Sequence, residues 1–224
     1  MTAMNRFAVW SVLLLLALFT PLDRNIHQSQ TLPIRRIDGQ TLSSSNVPKV
    51  TLKFDKAFKY VGTQSFVLYD VANAEQHFFV DADKDKRVKR FYWIQFEGYL
   101  PTNTHTYNYQ SNKVVKIGNL DFFADAYARN IKATPSRAGS DGSRAQEFLK
   151  GKGFTIGDEI IMQRLVHLTD ATKRNELMII YMEDLSQMGM TAAELTPGGG
   201  RASSWQEISN ALLERAIKSM KVSN

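Results

Sequence analysis

The sequence predicts an α+β fold, in which a strongly curved antiparallel sheet of about seven to nine strands, half-barrel or barrel-like, is closed by a C-terminal amphipathic helix. Three observations lead to this fold class. The stretch 76–100 contains two long strand-like runs joined by a charged tip. Shorter apolar runs lie before and after it, and each needs a strand to pair with. The stretch 204–221 has the spacing and the terminal signals of an amphipathic helix.

Residues 1–24 are expected to be a hydrophobic leader that precedes the folded domain. Arg6 stands before a long uncharged apolar run, which is typical of a secretory signal peptide. Leu18 and Phe19 occupy the region where cleavage needs small residues, so an uncleaved anchor through residues 7–22 is the alternative. That run is slightly short against the ~20 residues that span a bilayer comfortably. Both interpretations place the rest of the chain outside the cytoplasm, in the periplasm or the cell envelope.

The composition excludes several kinds of site. The chain of 224 residues has no cysteine, which rules out disulfides, thiolate metal ligands, a cysteine nucleophile and a lipid-modified cysteine. The formal net charge of +6 would favour anionic lipid, nucleic acid or an acidic partner. A soluble basic surface is the simpler explanation of that charge.

A single α+β domain is predicted over residues 49–224. The polar residues 25–48 before it are expected to form a tether or an extended edge segment. Within the domain, the glycines and prolines of 133–143 and 196–202 predict two flexible loops.

The shorter strands of the sheet follow from alternation of apolar and polar residues. Residues 50–54 alternate strictly and predict a half-buried strand. Residues 58–69 continue the pattern, with a bend or bulge expected at Gly62. Residues 104–109 and 114–118 predict a further hairpin around a polar turn.

The central hairpin is predicted to have strands at 77–80 and 87–100, joined by a charged turn at 81–86. The longer strand is aromatic on both faces, which is typical of a central strand that is covered on both sides. The pattern does not decide which face is interior. One face carries Tyr92, Ile94 and Phe96, and the other carries Phe91, Trp93 and Tyr99 together with Gln95 and Glu97.

Two elements are predicted between the central hairpin and the C-terminal third. Residues 119–131 fit a helix somewhat better than a strand. Ser143 and Gln146 form a capping-box pattern that predicts a short helix ending at Gly151.

The C-terminal third predicts a second hairpin and the closing helix. The hairpin has strands at 160–169 and 176–184. Ser204 and Glu207 form a capping box at the start of the helix. The apolar stripe of this helix consists of Trp205, Ile208, Leu212, Ala216 and Met220, widened by Leu213 and Ile217.

No motif indicates a metal or another cofactor. The run Asp81, Asp83, Asp85 resembles the opening of a calcium loop, but Lys86 and Tyr92 stand where that loop needs Gly and Glu. The four histidines, at 27, 77, 105 and 167, show no metal-binding spacing. The sequence also lacks G-x-S-x-G.

Nucleic acid is not expected as a partner. The basic and aromatic run 87–93 is similar in composition to a single-strand platform, yet it does not fit the RNA-binding signature RNP1. An exported protein also seldom meets nucleic acid, so this run is better explained as part of the sheet.

The leading functional hypothesis is a non-enzymatic envelope protein that binds a lipid, or an apolar or amphipathic small molecule, inside the curved sheet. The two-faced aromatic strand, the leader and the absence of a catalytic signature support it. The candidate ligand-binding residues are Trp93, Gln95, Glu97, Tyr99, His77 and His167.

Two alternatives stay open from sequence. One is a membrane-anchored accessory protein that docks on an envelope partner or a membrane through a sheet edge or through the basic hairpin tip. The other is a hydrolase or isomerase with an acid–base site of His77, Glu97 and Tyr99. The basic tip consists of Lys84, Lys86, Arg87, Lys89 and Arg90.

Overall fold

The computed structural model describes residues 34–111 and 113–224. The predicted leader or anchor, and the first part of the predicted tether, lie outside these described residues. Within them, no helix is both long enough and apolar enough to cross a membrane.

The described residues form two antiparallel sheets and three α-helices. The larger sheet has seven strands in the order β4-β5-β6-β10-β9-β8-β7, and the smaller has four in the order β1-β2-β3-β11. The strands are β1 (Arg35–Asp38), β2 (Thr41–Ser44), β3 (Val50–Phe54), β4 (Lys59–Leu68), β5 (Ala72–Ala82), β6 (Val88–Tyr99), β7 (Val114–Ile117), β8 (Leu120–Asn130), β9 (Glu159–Leu168), β10 (Asn175–Asp184) and β11 (Met220–Ser223). The helices are α1 (Asp141–Gly151), α2 (Ala192–Leu195) and α3 (Trp205–Lys218).

The predicted α+β class and the antiparallel pairing are confirmed, but the sheet is not closed into a barrel. β4 and β7 are opposite edges of the large sheet and do not pair with each other. The remaining strands form a separate sheet because Met220–Ser223 leaves the C-terminal helix and pairs with β3. This small sheet lies across one face of the large one, since Leu52 and Val222 belong to the same core as Tyr92.

One face of the large sheet, which we call the α3 face, packs against α3 and the small sheet. Leu212, Leu213 and Ala216 of α3 are buried there. The hydroxyl of Tyr92, at the centre of β6, donates to the carbonyl oxygen of Ala216 at 2.6 Å. This bond satisfies a carbonyl in the last turn of the helix, which has no partner within the helix itself.

A half-buried ion pair fixes α3 further along the same face. Arg215 donates through Nε and Nη2 to the two carboxylate oxygens of Glu183 at 2.8 and 2.7 Å. Tyr181 donates to the same carboxylate at 2.6 Å. Because Glu183 is only 8% exposed, this two-pronged contact neutralises a charge that would otherwise be costly to bury.

The other face of the large sheet, which we call the α1 face, is covered by α1 on one side only. Leu149 is fully buried, and Phe148 stacks on Phe78 at 4.8 Å between ring centroids. A second apolar core lies under the helix, separate from the first. β6 is therefore apolar on both faces because each face supports its own core, as the aromatic pattern predicted.

Most predicted strands are confirmed with small shifts at their ends. β3 has the predicted bounds, and the register between β4 and β5 shifts between Tyr60 and Gly62, where the bulge was expected. The central hairpin and the β9–β10 hairpin are also confirmed, although β5 begins at Ala72 and not at residue 77 as predicted. The register slips once more near the hairpin tip, between Asp81 and Ala82.

Three local predictions are wrong. Residues 120–130 form strand β8 and not a helix, because pairing with β9 buries Phe122 and Ala124 on one face. Residues 104–109 form no strand, and β7 pairs with β8 instead. Met220 is buried in a strand and not in the closing helix.

The helix starts also differ from the predicted capping boxes. Ser140, not Ser143, caps α1, and its hydroxyl accepts from the backbone amide of Ser143 at 3.2 Å. Ser204 makes no side-chain capping bond at α3. Residues 35–44, placed in the predicted tether or edge segment, form the edge hairpin of the small sheet.

Candidate functional site

A cavity of about 270 Å³ lies on the α1 face of the large sheet, beside α1. Its floor is the middle of strands β6, β10, β9 and β8, and its wall is α1 with the segment 131–142 that leads into it. The cavity exists because α1 is too short to cover the whole face of a seven-stranded sheet.

The floor of this cavity is apolar and rich in methionine. Trp93 and Ile180 are cross-strand partners at its centre. Methionine side chains are flexible and polarizable, so they adapt to ligands of irregular shape. The large apolar residues of the floor are Phe91, Trp93, Ile160, Met162, Met178, Ile180 and Met182.

The rim of the cavity is polar and carries more cations than anions. Arg129, Arg137 and Arg164 line it together with one carboxyl, that of Asp141. Arg164 already forms a two-pronged pair with Asp125, at 2.7 and 3.1 Å. Burial is the largest influence on Asp141 and raises the pKa of its carboxyl.

A row of glutamines crosses the sheet next to the cavity. Gln64, Gln76 and Gln95 are direct cross-strand neighbours on β4, β5 and β6. The side-chain amide of Gln64 donates to the side-chain oxygen of Gln76, and that of Gln76 donates to Gln95, both at 2.7 Å. Gln95 in turn donates to the carboxylate of Glu97 at 2.5 Å. Trp93 also donates its indole N–H to Gln95 at 3.1 Å. This row satisfies buried polar groups and holds the Trp93 ring in place.

Two carboxyl groups face each other where this row ends. Glu97 and Glu176 are directly opposite on β6 and β10, and Glu176 is only 3% exposed. Burial raises the pKa of Glu176 to about 8, and the nearby Glu97 adds to this effect. The pKa of Glu97 is also raised, again chiefly by burial. Two ionised carboxylates directly opposite each other on neighbouring strands repel each other. The pair therefore favours the state in which one of the two carboxyl groups is protonated.

The segment 101–111, which we call the strap, covers this carboxyl pair. Tyr107 donates to Glu97 at 2.8 Å, and Tyr109 donates to Glu176 at 2.5 Å. Tyr107 also stacks on Tyr99 at 4.4 Å between centroids. The strap therefore lacks strand pairing but is held by side chains, which explains why the alternating sequence of 104–109 did not produce a strand.

The structure brings together only part of the predicted ligand-binding set. Trp93 lines the cavity. Gln95 and Glu97 lie on the same face of β6, where Gln95 accepts the indole N–H of Trp93 and donates to Glu97. Tyr99 shares that face but packs against the strap. These four residues therefore form one continuous surface on β6.

The two predicted histidines lie on the α3 face, away from this surface. His77 contacts Glu75 at 2.7 Å and the Tyr60 hydroxyl at 3.4 Å. His167 contacts the backbone oxygen of Asp121 at 3.0 Å. The sheet itself separates both imidazoles from Glu97 and Tyr99, so these groups do not converge on one site.

Some residues of the basic hairpin tip are exposed to solvent, and others contact neighbouring groups of the protein. Lys84, Arg87 and Lys89 are exposed. Lys86 donates to the carbonyl of Lys152 at 3.0 Å, and Arg90 pairs with Asp81 at 2.8 Å. Only part of the predicted cluster is thus available to a partner surface.

Sequence reasoning missed the rim residues of the cavity. Arg129 and Arg164 project beside Tyr127 only because 120–130 is a strand paired with β9. Alanine at every second position from 124 to 128 is the signal that could have placed Tyr127 and Arg129 on one face of a strand. Among the described residues, no group of three or more His, Asp or Glu side chains could hold a metal ion.

Comparison of the chain with family models, curated proteins and solved structures gives no significant match. Function must therefore be argued from the geometry and chemistry of the cavity.

Proposed function

We propose that this protein is a non-enzymatic binding protein that holds a small amphipathic molecule in the cavity between the large sheet and α1. The observation that carries this proposal is the combination of an apolar floor and a polar rim around about 270 Å³. Ligand pockets typically enclose roughly 300–1,000 Å³ and pair apolar walls with a few polar groups. A single-chain amphiphile fits such a volume better than a bulky cofactor.

In this proposal the ligand lies on one face of an open sheet and not inside a barrel. The glutamine row keeps Trp93 in a fixed orientation, while Met162, Met178 and Met182 adapt to the apolar part of the ligand. The hydrolase or isomerase alternative has less support, because His77 faces the opposite side of the sheet from Glu97 and Tyr99.

The location that fits this proposal is outside the cytoplasm, in the periplasm or cell envelope. Its support is the leader pattern at the N-terminus, with residues 7–22 as an anchor if the leader is not cleaved. A lipid or a lipid fragment is the kind of ligand that this location favours.

Filling the cavity tests the proposal. Ala145 lines the cavity from α1 and is 3% exposed, so Ala145→Leu places three extra carbon atoms in it. We expect the neutral fluorescent probe N-phenyl-1-naphthylamine to bind the full chain, and A145L to weaken that binding at least about tenfold. The measurement is a fluorescence titration alongside a thermal melt.

Ala193→Leu is the matched control, because Ala193 is exposed in α2 and does not line the cavity. If A145L lowers the melting temperature, Met162→Trp fills the cavity from the sheet side and replaces it. Equal affinity in wild type, A145L and M162W would show that the probe binds elsewhere and would remove the proposal's support.

A second candidate function is docking of an envelope protein along β4. This ten-residue strand is one edge of the large sheet, and its residues 60–68 carry no charge. An open depression of about 630 Å³ lies beside it, lined by Ser65, Val67 and Phe96 among others, and Val67 is 44% exposed. Unprotected edge strands readily accept another strand.

Lysine at the edge should block such docking. We expect Val67→Lys to remove a protein that co-purifies with the full chain from its membrane fraction, as seen by native mass spectrometry. Thr41→Lys, in a strand of the small sheet, serves as a control for the added charge. An unchanged complex with V67K would exclude the β4 edge as the docking site.

A further inference from the structure

The outer face of the small sheet is polar. Alternation along β3 and β11 turns Leu52, Phe54 and Val222 inward, where they are buried. The outward positions of β2, β3 and β11 carry only hydroxyl groups and lysines, at Thr41, Ser43, Thr51, Lys53, Lys221 and Ser223. This face therefore suits contact with water or with a charged surface, and not with an apolar partner.

Four exposed lysines lie together at the β11 side of this face. Lys53 and Lys221 are direct cross-strand partners, so their Cβ atoms are about 5 Å apart. The backbone amide of Asp55 donates to the carbonyl of Ser219 at 2.9 Å, which places the turn after β3 beside the end of α3. We call these lysines, which line an open depression of about 340 Å³, the lysine cluster: Lys53, Lys56, Lys218 and Lys221.

The positive charge of the lysine cluster is not compensated by ion pairs. Within the described residues, none of its members forms an ion pair with a carboxylate. Lys59 adds a further cation, since its ammonium donates to the carbonyl of Lys56 at 2.9 Å. Like charges directly opposite each other on a sheet are destabilising, so the pairing of Lys53 with Lys221 contributes nothing to the fold.

The acidic groups near the lysine cluster lie at its margin. The carboxylate of Asp55 accepts the backbone amide of Ala57 at 3.1 Å. Glu214 lies one turn before Lys218 on α3, and Asp38 lies on β1, two strands away from β3. The centre of the cluster, around Lys53 and Lys221, is therefore positive.

The basic hairpin tip has a different charge pattern. Its exposed cations, Lys84, Arg87 and Lys89, alternate along the chain with the carboxylates of Asp83 and Asp85. Alternating signs weaken the attraction of such a segment to a negative surface. The lysine cluster is thus better suited than the tip to contact an extended anion.

We propose that the lysine cluster docks the domain on a membrane surface that contains anionic phospholipid. Each lysine held near such a surface strengthens binding roughly fivefold, without a defined pocket for each head group. The expected location outside the cytoplasm favours a membrane over nucleic acid as the polyanion. This inference is independent of the cavity, which lies on the opposite face of the large sheet and so stays accessible in the docked protein.

Vesicle binding by the full chain tests the proposal. The vesicles contain phosphatidylcholine alone or phosphatidylcholine with phosphatidylglycerol. The apolar run 7–22 is expected to contribute equally to both, so the measured quantity is the ratio of the two partition constants. We expect a preference of at least about thirtyfold for the anionic vesicles, which added salt should abolish.

A triple variant assigns this preference to the lysine cluster. Lys53→Gln, Lys56→Gln and Lys221→Gln together should reduce the ratio at least about tenfold. The fold should be retained, because the substitutions also remove the repulsion between Lys53 and Lys221. The A145L variant should keep the wild-type ratio, so that failure of the cavity proposal and failure of this one can be told apart.

The matched control removes the same charge from the hairpin tip. Lys84→Gln, Arg87→Gln and Lys89→Gln together should change the ratio less than about threefold, since the tip is not the docking surface. An equal loss in this control would show that net charge alone, or the tip, governs binding, and would overturn the proposal.

Acetylation by a water-soluble reagent, located by mass spectrometry, gives a second readout on the unmodified chain. Anionic vesicles should protect Lys53 and Lys221, while Lys132 and Lys150, which are exposed near and on α1, should react as they do without vesicles. Equal protection of all four lysines would overturn the proposal, and so would equal binding to both kinds of vesicle. Release from vesicles by inorganic phosphate, at an ionic strength where chloride has no effect, would instead show a site for a free anion and would also overturn it.

Discussion

A chain that ends at Gly198 should not fold cooperatively. The truncation removes α3 and β11 together, and with them the large buried side chains of Leu212, Leu213, Met220 and Val222. Each such side chain contributes roughly 1.5–3 kcal/mol when fully buried. The sum is comparable to the roughly 5–15 kcal/mol that separates folded from unfolded proteins of this kind.

The polar contacts of α3 increase the expected effect. The truncation removes Arg215, so the two-pronged ion pair with Glu183 is lost together with the helix that covers it. Without Ala216 the buried hydroxyl of Tyr92 loses its acceptor. β3 would also become an edge strand, since β11 is its partner on that side.

Thermal unfolding followed by near-ultraviolet circular dichroism is the measurement. We expect no cooperative transition in the truncated chain. Glu214→Ala in the full chain is the control, because Glu214 is exposed on α3 and should leave the transition in place. A soluble truncated chain that melts in one sharp transition would show that the α1 face alone supports the fold.

Replacing Glu176 with glutamine should make the protein much more stable at pH 8 and leave it almost unchanged near pH 5. Burial moves the pKa of this carboxyl from 4.5 to about 8 in the folded state. Between these values the folded protein holds a proton that the unfolded chain has released, so the free energy of unfolding falls as pH rises. At about 1.4 kcal/mol per pKa unit, the loss by pH 8 is up to about 5 kcal/mol.

Glutamine keeps the essential contact without the titration. Its side-chain oxygen can accept the Tyr109 hydroxyl, as the protonated carboxyl does. The E176Q variant should therefore lose most of the decline in stability between pH 5 and pH 8. A difference from wild type that is already large at pH 5 would instead indicate that glutamine disturbs the packing under the strap.

Urea unfolding at several pH values between 5 and 8 measures this effect. Glu147→Gln is the matched control, because Glu147 is exposed on α1 and its substitution should leave the pH profile unchanged. The comparison of variants also removes contributions from ionisable groups that do not interact with Glu176. Parallel wild-type and E176Q profiles would contradict a buried, protonated Glu176.

The local pattern of the sequence was sufficient for most of the sheet. Alternation in 50–54 predicted β3, and the aromatic run of 87–100 predicted that β6 is central with both faces covered. Spacing of Leu212 and Ala216 predicted the buried stripe of α3. These predictions succeeded because side-chain period is a property of each segment, independent of its partners.

Segments whose structure depends on partners were predicted poorly. Residues 120–130 have apolar positions compatible with a helix, and only the edge of β9 made them a strand. Residues 104–109 alternate as a strand would. Their tyrosines, Tyr107 and Tyr109, instead donate hydrogen bonds to the carboxyl groups of Glu97 and Glu176, and these bonds keep the segment in the strap. The position of Met220 fits the apolar stripe of α3, but Met220 instead lies in β11 and pairs with β3.

The candidate site shows the same division. By itself the sequence determined that Trp93, Gln95 and Glu97 share one face of a buried strand, because strand geometry alternates side chains. Only the tertiary structure decided that His77 and His167 lie on the opposite face of the sheet, and that Arg129 and Arg164 line the same cavity as Trp93. Strand order and the placement of α1 set those distances, and both arise from contacts between segments far apart in the chain.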